Sequence, residues 1–197
     1  MSSRLPRAER LVLASTSLQR PAILEQLRIP FEVVAPDYEE HDAPDADPVM
    51  LVLAHAEGKA RSVHRAGSVT LGVDTTVHLD GRLYGKPADE DDATSMLREL
   101  SGRTHTVLSG LCLISDAGET LDRAETLVTF RPLGDGDVAG YATSGEWRGR
   151  AGGYAIQGLG GRFVERIDGD YLNVVGLPGA LLIGLLTAHA PALLDLR

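Results

Sequence analysis

One aspartate and two lysines are the residues whose type and spacing best suit chemistry on phosphate groups. Asp74 ends an apolar run that predicts a strand, and Lys86 follows it across a short predicted hairpin. Open α/β sheets place their ligand crevices at such strand ends. Carboxylate oxygens together with ammonium groups are what magnesium-dependent phosphate chemistry uses, and Glu40 could supply a second carboxylate. The pattern favours a phosphate-acting site, while a lone strand-end aspartate also commonly serves as a turn or capping residue.

Lysine is rare in this chain, which draws attention to the two that occur. Seventeen of the nineteen basic residues are arginine, and the others are Lys59 and Lys86. An ammonium is a compact point charge, whereas a guanidinium is a planar fork, so a retained lysine can have an electrostatic use of its own. Chance retention explains the pair equally well, and Lys59 on a predicted helix could also be a solvated surface residue.

A second candidate lies between the first predicted strand and the first predicted helix. Ser15, Ser17, Gln19 and Arg20 cluster there, and hydroxyls with free N–H groups at a helix start can bind an anion. Pro21 conflicts with a helix capped by Ser17, so we expect a distorted turn or a helix that begins nearer Arg20. Ordinary helix capping explains the hydroxyls as well as phosphate binding does.

A glycine-rich segment from Gly145 to Gly161 contains Gln157, whose amide offers both a donor and an acceptor, as reading a base edge requires. A plain flexible connection is the alternative. The sequence has no G-x-x-x-x-G-K-[ST] loop and no G-x-S-x-G elbow, and its six histidines lack metal-ligand spacing. Any chemistry therefore rests on carboxylates, arginine and lysine.

Alternating strand and helix patterns must position these residues, and they predict a mixed α/β fold. Asp80-Gly81 indicates the hairpin turn that precedes Lys86. Pro48 can occupy the first turn of a helix that we expect to continue to about Arg65. We expect strands at 11–14, 31–35, 68–74, 105–115 and 125–130, helices near 18–27, 48–65, 89–100 and 137–143, and a last helix that contains 181–186.

Composition is that of an ordinary globular protein. The 197 residues are 43% hydrophobic and 24% charged, and they contain one cysteine, Cys112, which we expect to be a small buried apolar residue. The net charge of −9 without a basic run weighs against nucleic-acid binding. Gly176, Pro178 and Gly184 interrupt the most apolar stretch, so we expect no membrane span and no signal peptide, and the cytoplasm as the location.

Nine segments in register resemble the Maf family of nucleoside triphosphate pyrophosphatases, from Leu11 to about Leu186. They are LASTSLQR, the acidic loop with Glu40, AEGKA, LGVDTTV, GKP, MLRELSGRTHTV, ETLVTF, AGGYAIQGLGG and DGDYLNVVGLP. The resemblance implies an elongated, twisted mixed sheet with flanking helices and a central cleft, similar to inosine triphosphate pyrophosphatases. We expect one domain over 1–197, with two lobes around the cleft and a disordered tail at 1–9.

The resemblance also implies an activity, which is cleavage of a nucleoside triphosphate to the monophosphate and pyrophosphate. It implies a divalent metal, Mg²⁺ foremost with Mn²⁺ or Co²⁺ as alternatives, and a homodimer. The family's catalytic base falls on Asp74, which shares the metal with Glu40, although adjacent Glu39 leaves the loop register open. Its substrate-binding positions fall on Ser15, Ser17, Gln19, Arg20, Lys59, Thr75, Lys86 and Gln157.

Thr75 and Gln157 match the branch of the family that acts on dTTP, UTP and related pyrimidine nucleotides. That branch commonly has S-P-R-R where this chain has Ser17-Leu18-Gln19-Arg20, so an arginine linked to substrate choice is Gln19 here. Hydrolysis of 7-methyl-GTP or of a broad set of triphosphates is therefore an alternative. A non-catalytic nucleotide-binding regulator of cell division is another, and a nucleic-acid-binding module is a weaker third.

Overall fold

The fold is built on one seven-stranded sheet, in a computed structural model that describes residues 10–41 and 46–195. The strands are β1 Leu11–Ala14, β2 Phe31–Val34, β3 Val69–Leu79, β4 Arg82–Tyr84, β5 Thr104–Ser115, β6 Gly118–Phe130 and β7 Val164–Asp168. The helices are α1 Gln19–Gln26, α2 Pro48–Val63, α3 Glu90–Leu100, α4 Asp135–Ser144, α5 Tyr171–Val175 and α6 Gly179–His189, with short 3₁₀ turns at Ala151–Gly153, Leu159–Phe163 and Pro191–Leu194. The predicted mixed α/β class, with helices flanking a mixed sheet, is confirmed.

Strand order explains why two distant parts of the sequence meet. The order is β2-β1-β3-β5-β6-β7, with β4 on β3, and β1 lies parallel to both β2 and β3. Ala14 is in register with Gly72, so the segment that leaves β1 at Ser15 runs beside the part of β3 that contains Asp74. Antiparallel β5 places Ser109 opposite Thr75. The carboxyl end of β1 and the middle of β3 therefore form one edge of the site.

Helix α2 lies unusually close to β3. A Cβ atom at Gly72 would collide with the carbonyl oxygen of Ala56 and lie 2.7 Å from the backbone nitrogen of Ala60. Only glycine permits this approach, because every other residue type would push the helix off the sheet. The face of α2 that meets the sheet contains Ala56, Lys59 and Ala60, so the contact sets Lys59 against the strand of Asp74.

Two hydrophobic cores flank this region. One packs α3 and α4 around Phe130 and Trp147, and the other packs α1 and α6 against β1, β3 and β5 around Leu24 and Leu182. Cys112 is fully buried, as predicted. Among the described residues, no helix is long and apolar enough to cross a bilayer. The division into two lobes stays a prediction, and the tail predicted at 1–9 lies outside the described residues.

Several elements differ in detail from the expectation. Strand β3 continues through the expected start of the hairpin, whose turn is at Asp80-Gly81 as predicted. Strand β6 begins at Gly118, before the expected 125, and helix α5, with the sequence YLNVV, was not among the expected elements. Helix α1 begins at Gln19 with Leu18 as its N-cap. Pro21 is thus the third helical residue, where a helix needs no N–H donor, and this resolves the conflict with capping by Ser17.

Candidate active site

A cleft of about 450 Å³ opens where the first strand ends and the middle of β3 passes. All ten of the site residues named from the sequence line it: Ser15, Ser17, Gln19, Arg20, Glu40, Lys59, Asp74, Thr75, Lys86 and Gln157. They come from six separate segments of the chain. The tertiary structure therefore brings the whole predicted set together in one place.

Lys59 is the centre of the charged part of the cleft. Its Nζ lies 2.7 Å from Oδ1 of Asp74 and 2.5 Å from Oε1 of Glu40. The lysine side chain is 7% exposed and that of Asp74 is 13% exposed, so water screens this pair weakly, whereas the Glu40 side chain is 37% exposed. An ammonium has three N–H donors. Two are directed at the carboxylates, and one is left for a ligand.

Glu40 is a carboxylate whose charge the site stabilises. Burial raises its pKa, but the hydrogen bond and charge of Lys59, with the charges of Lys86 and His55, outweigh burial and lower the pKa of Glu40 overall. The adjacent Glu39 side chain is 91% exposed and does not line the cleft. Of the two acids that the sequence left open, Glu40 is thus the one at the site.

Tyr38 holds the acidic loop against helix α2. Its ring occupies the space where a Cβ at Gly58 would lie, with Cδ2 of the ring 2.6 Å from that position. Its hydroxyl is hydrogen-bonded to Nδ1 of His55 at 2.9 Å. This contact anchors the loop two residues before Glu40. Sequence reasoning missed Tyr38, because no periodicity links a loop residue to a glycine twenty positions later.

Arg20 is buried and tied into the wall of the cleft. Its Nε donates to the carbonyl oxygen of Gly176 at 3.0 Å, and its Nη atoms donate to the hydroxyls of Ser15 and Thr75, each at 3.4 Å. Desolvation lowers its pKa, while the charges of Asp74 and Glu40 oppose that change. A guanidinium remains protonated in proteins. Arg20 therefore presents a fixed positive charge, with N–H donors to spare, beside the two carboxylates.

The other predicted polar residues surround this centre. The Ser17 hydroxyl donates to the side-chain oxygen of Gln19 at 3.1 Å and accepts from the Gln19 backbone N–H. Thr75 is hydrogen-bonded to Ser109 at 2.8 Å. Lys86 and Gln157 are exposed on the cleft wall. Gln19 is thus folded onto Ser17 and presents no charge to a ligand.

An apolar part of the cleft adjoins the charged part. It is lined by Val77, Val107, Ala151, Tyr154, Val174 and Val175. The Tyr154 hydroxyl is hydrogen-bonded to Nε2 of buried His105 at 2.9 Å, and burial lowers the pKa of His105 to about 4. The imidazole is therefore neutral at pH 7, and this part of the cleft stays uncharged. A flat heterocyclic ring would fit its character.

The two cleft carboxylates fit a metal ion that is shared with a ligand. Glu40 and Asp74 each use one oxygen for Lys59 and keep a second. No cluster of three or more acidic, histidine or cysteine side chains suitable for a metal occurs within residues 10–41 and 46–195. Mg²⁺ is commonly held by one or two carboxylates together with substrate phosphates and water. The donor set thus suits an ion that arrives with a phosphorylated ligand.

Two arginines at the cleft were not among the predicted residues. Arg148 lies with its guanidinium 4.6 Å from the centre of the Trp147 ring, and Arg150 lines the cleft two residues later. Both belong to the glycine-rich segment, of which only Gln157 was singled out from the sequence. Their spacing from one another in RGR could have drawn attention to them, but nothing in the sequence places that segment opposite β3.

Comparison with known proteins relates the chain to one family and to named enzymes. The family model described as Maf-like protein matches residues 10–189. The dTTP/UTP pyrophosphatase of Deinococcus radiodurans is 45% identical over 181 residues, which cover 91% of this chain and 92% of the relative. That of Symbiobacterium thermophilum is 42% identical, with 91% and 93% covered. That of Thermococcus gammatolerans is 45% identical over 169 residues, with 85% and 90% covered.

A solved structure, that of the Staphylococcus aureus Ham1 protein, is similar over 62% of this chain and 72% of that chain. Its sequence is 12% identical to this one, and the TM-score is 0.42.

Proposed function

Because this chain belongs to the Maf-like protein family, we propose that its cleft hydrolyses nucleoside triphosphates to the nucleoside monophosphate and pyrophosphate, with dTTP and UTP as substrates. One observation carries the proposal, namely that Arg20, Lys59, Asp74 and Lys86 line the same cleft. The substrate assignment is supported by relatives named dTTP/UTP pyrophosphatase that are 42 to 45% identical to this chain.

Binding of the triphosphate is the task of the cationic side chains. Lys59 keeps one N–H donor after binding its two carboxylates, and Arg20 keeps N–H donors after binding the wall. Lys86 adds a third, exposed cation. The protein carries a net charge of −9, so its overall field repels a polyanion. Cations concentrated in the cleft overcome that repulsion locally.

Asp74 acts as the general base on the attacking water. The water oxygen forms a bond to the α-phosphorus, its proton passes to the Asp74 carboxylate, and the bond from that phosphorus to the bridging oxygen breaks. Pyrophosphate leaves with that electron pair. Loss of a positioned general base costs about 100- to 10,000-fold in rate. Removal of one preorganised partner of the developing charge costs about 100- to 1,000-fold.

A divalent metal, Mg²⁺ foremost, would be held by the free oxygens of Glu40 and Asp74 together with the substrate's phosphates. Such an ion neutralises phosphate charge as a Lewis acid. Lys59 holds both carboxylates in position, because each lies within hydrogen-bonding distance of the same nitrogen. Glu40 is therefore a ligand position that remains ionised across the neutral range, since its pKa is lowered.

The nucleobase of the substrate lies in the apolar part of the cleft, and Gln157 faces the edge of that nucleobase. An amide supplies one donor and one acceptor, which matches the carbonyl and N–H edge of uracil or thymine. Gln19 is engaged by Ser17 and adds no positive charge near the substrate. We expect this to broaden the range of triphosphates accepted. The homodimer and the cytoplasmic location stay predictions.

The test is a panel of ordinary and modified triphosphates, including 7-methyl-GTP, incubated with the protein and Mg²⁺ in ¹⁸O-labelled water. Label in the monophosphate and unlabelled pyrophosphate are expected, because water attacks the α-phosphorus. A preparation of Asp74→Asn made in the same way controls for contaminating phosphatases. Release of a nucleoside diphosphate and inorganic phosphate would refute the proposal. Tight nucleotide binding without turnover would instead support a regulatory binding protein.

A further inference from the structure

Arg150 has a guanidinium nitrogen that is buried without a partner. Its Nε makes no hydrogen bond within the described part of the chain, although water does not reach it. A buried donor left unpaired costs free energy, more so when it belongs to a charged group. Arg20 provides the contrast in the same cleft, since its Nε donates to Gly176. Because Arg150 also lines the cleft, its guanidinium has a donor at the edge of the candidate site for which the described residues supply no acceptor.

The backbone around Arg150 is fixed between the segment of Lys86 and the apolar part of the cleft. The backbone N–H of Gly152 donates to the carbonyl of Gly85 at 3.1 Å, the residue before Lys86. Gly152 has φ +70°, and a Cβ there would lie 3.0 Å from Cγ2 of Val77 on β3. Only glycine suits this position. The hydrogen bond to Gly85 brings the Arg150 segment next to the residues after β4 that include Lys86.

The missing acceptor is not a carboxylate of the cleft. Among the described residues, Glu40 and Asp74 are the acids that line it, and neither accepts a hydrogen bond from the Arg150 Nε. A phosphate oxygen is the remaining acceptor that matches a guanidinium in charge and in fork geometry. Lys86 follows the residue whose carbonyl binds the Arg150 segment, and both side chains line the cleft, so two cations border the same space.

We propose that Arg150 binds the pyrophosphate half of the substrate, the part that leaves, together with Lys86. This inference rests on the proposed function, because it assigns a residue to one end of the same triphosphate. Arg150 contacts the non-reacting phosphates and compensates the charge that develops on the leaving group. The nucleoside monophosphate half lies against Arg20 and the apolar part of the cleft.

The inference is tested by binding the two products separately. Titration calorimetry with pyrophosphate and with UMP, each with fixed Mg²⁺, is carried out on the unmodified protein, Arg150→Gln and Arg150→Lys. We expect Arg150→Gln to weaken pyrophosphate binding about 10- to 100-fold, as loss of a charge-assisted hydrogen bond does, and UMP binding less than about 2-fold. Arg150→Lys keeps the positive charge but lacks the planar guanidinium. Its affinity for pyrophosphate should lie between that of the unmodified protein and that of Arg150→Gln.

Arg162→Gln is the matched control, because Arg162 is an exposed arginine directly after the glycine-rich segment and does not line the cleft. It should bind both products as the unmodified protein does. The inference is overturned if Arg150→Gln binds pyrophosphate as the unmodified protein does, or if it loses more affinity for UMP than for pyrophosphate. It is also overturned if the unmodified protein does not bind pyrophosphate. If Arg150→Gln does not fold, Arg150→Lys gives the same decision.

Binding needs no turnover, so failure of the proposed hydrolysis is recognised separately from failure of this inference. A protein that binds pyrophosphate through Arg150 but cleaves no triphosphate would support the subsite and refute the activity.

Discussion

Asp74→Asn removes a negative charge and a proton acceptor from the cleft while keeping nearly the same shape. The substitution also takes one charged partner from Lys59, whose Nζ lies 2.7 Å from Oδ1 of Asp74. Glu40 remains at 2.5 Å from that nitrogen. Lys59 therefore keeps an ionic partner, and its position should change little.

The magnitude follows from that geometry. Breaking an isolated buried ion pair by removing one partner costs about 3 to 5 kcal/mol. With Glu40 still in place, we expect the free energy of unfolding to fall by less, about 1.5 to 3 kcal/mol, the size of one hydrogen bond to a charged group. We expect the variant to stay folded at 25 °C, because native proteins are commonly stable by about 5 to 15 kcal/mol. The loss in kcat should be about 100- to 10,000-fold, far more than incomplete folding would produce.

The assay is steady-state release of pyrophosphate from dTTP or UTP, with the melting temperature of each variant measured in parallel. Asp122→Asn is the control, because Asp122 is an exposed aspartate on β6 of the same sheet and should leave kcat unchanged. A double-mutant cycle with Lys59→Met separates two roles of Asp74. If Asp74 only holds Lys59, Asp74→Asn has no further effect once Lys59 is gone.

We expect Asp74→Asn to reduce kcat strongly in both backgrounds, since a general base acts on water whether or not Lys59 is present. More than about a tenth of the normal kcat in the single variant would refute the role of general base. An absent effect in the Lys59→Met background would reduce Asp74 to a positioning residue.

Three further predictions concern charge, packing and pH. Raising the salt concentration from about 0.05 to 0.5 M should increase KM several-fold with a smaller change in kcat, because salt screens attraction between the cationic cleft and the polyanion; a constant KM would contradict the cationic binding site. Gly72→Ala should lower the free energy of unfolding by about 1 to 3 kcal/mol, because the added methyl group collides with α2. Gly184→Ala on helix α6 should raise it by about 0.5 to 1 kcal/mol, because the added methyl group meets nothing within 4 Å. If urea unfolding shows both variants shifted in the same direction, the close contact at Gly72 is contradicted. Burial lowers the pKa of His105 from 6.5 to about 4, so between these pH values the unfolded chain binds a proton at this residue and the folded chain does not. Up to about 3 kcal/mol of stability that is present above pH 6.5 is therefore lost as the pH falls to 4. His105→Leu should make the free energy of unfolding less dependent on pH in this range, and an unchanged pH dependence would assign the loss to other groups.

Much of the fold was accessible from local patterns. Hydrophobic runs bounded by turn residues located most of the strands and the hairpin turn at Asp80-Gly81, and Pro48 marked the start of α2. These signals are local because a strand or a helix buries one face at a fixed period. The five residues YLNVV were too short for a period to identify the helix they form. For α1, Pro21 left two alternatives from the sequence, a distorted turn or a helix that begins nearer Arg20, and the structure has the helix begin at Gln19.

Ten residues that line the candidate site were also predictable, because they occur in motifs that resemble a known family, whereas Tyr38, Arg148 and Arg150 were missed. The mutual arrangement of the ten was not predictable. Glu40 and Glu39 are adjacent acids in a loop, where no repeat decides which side chain faces the protein, and the contact of Tyr38 with Gly58 directs Glu40 inward. The orphaned Nε of Arg150 is visible only after the glycine-rich segment has packed on Val77.

Residue types and order determined which chemistry this chain can carry out, since carboxylates, ammonium groups and guanidinium groups have their charges and donors wherever they lie. Only the folded structure decided that Lys59 would bridge Glu40 and Asp74. That bridge requires helix α2 to approach β3 closely at Gly72. Asp74 lies fifteen residues after Lys59 and Glu40 nineteen residues before it, and both carboxylates bind the same nitrogen. The energy of such an ion pair decreases as the distance between the two charges increases. Separation along the sequence carries no information about that distance.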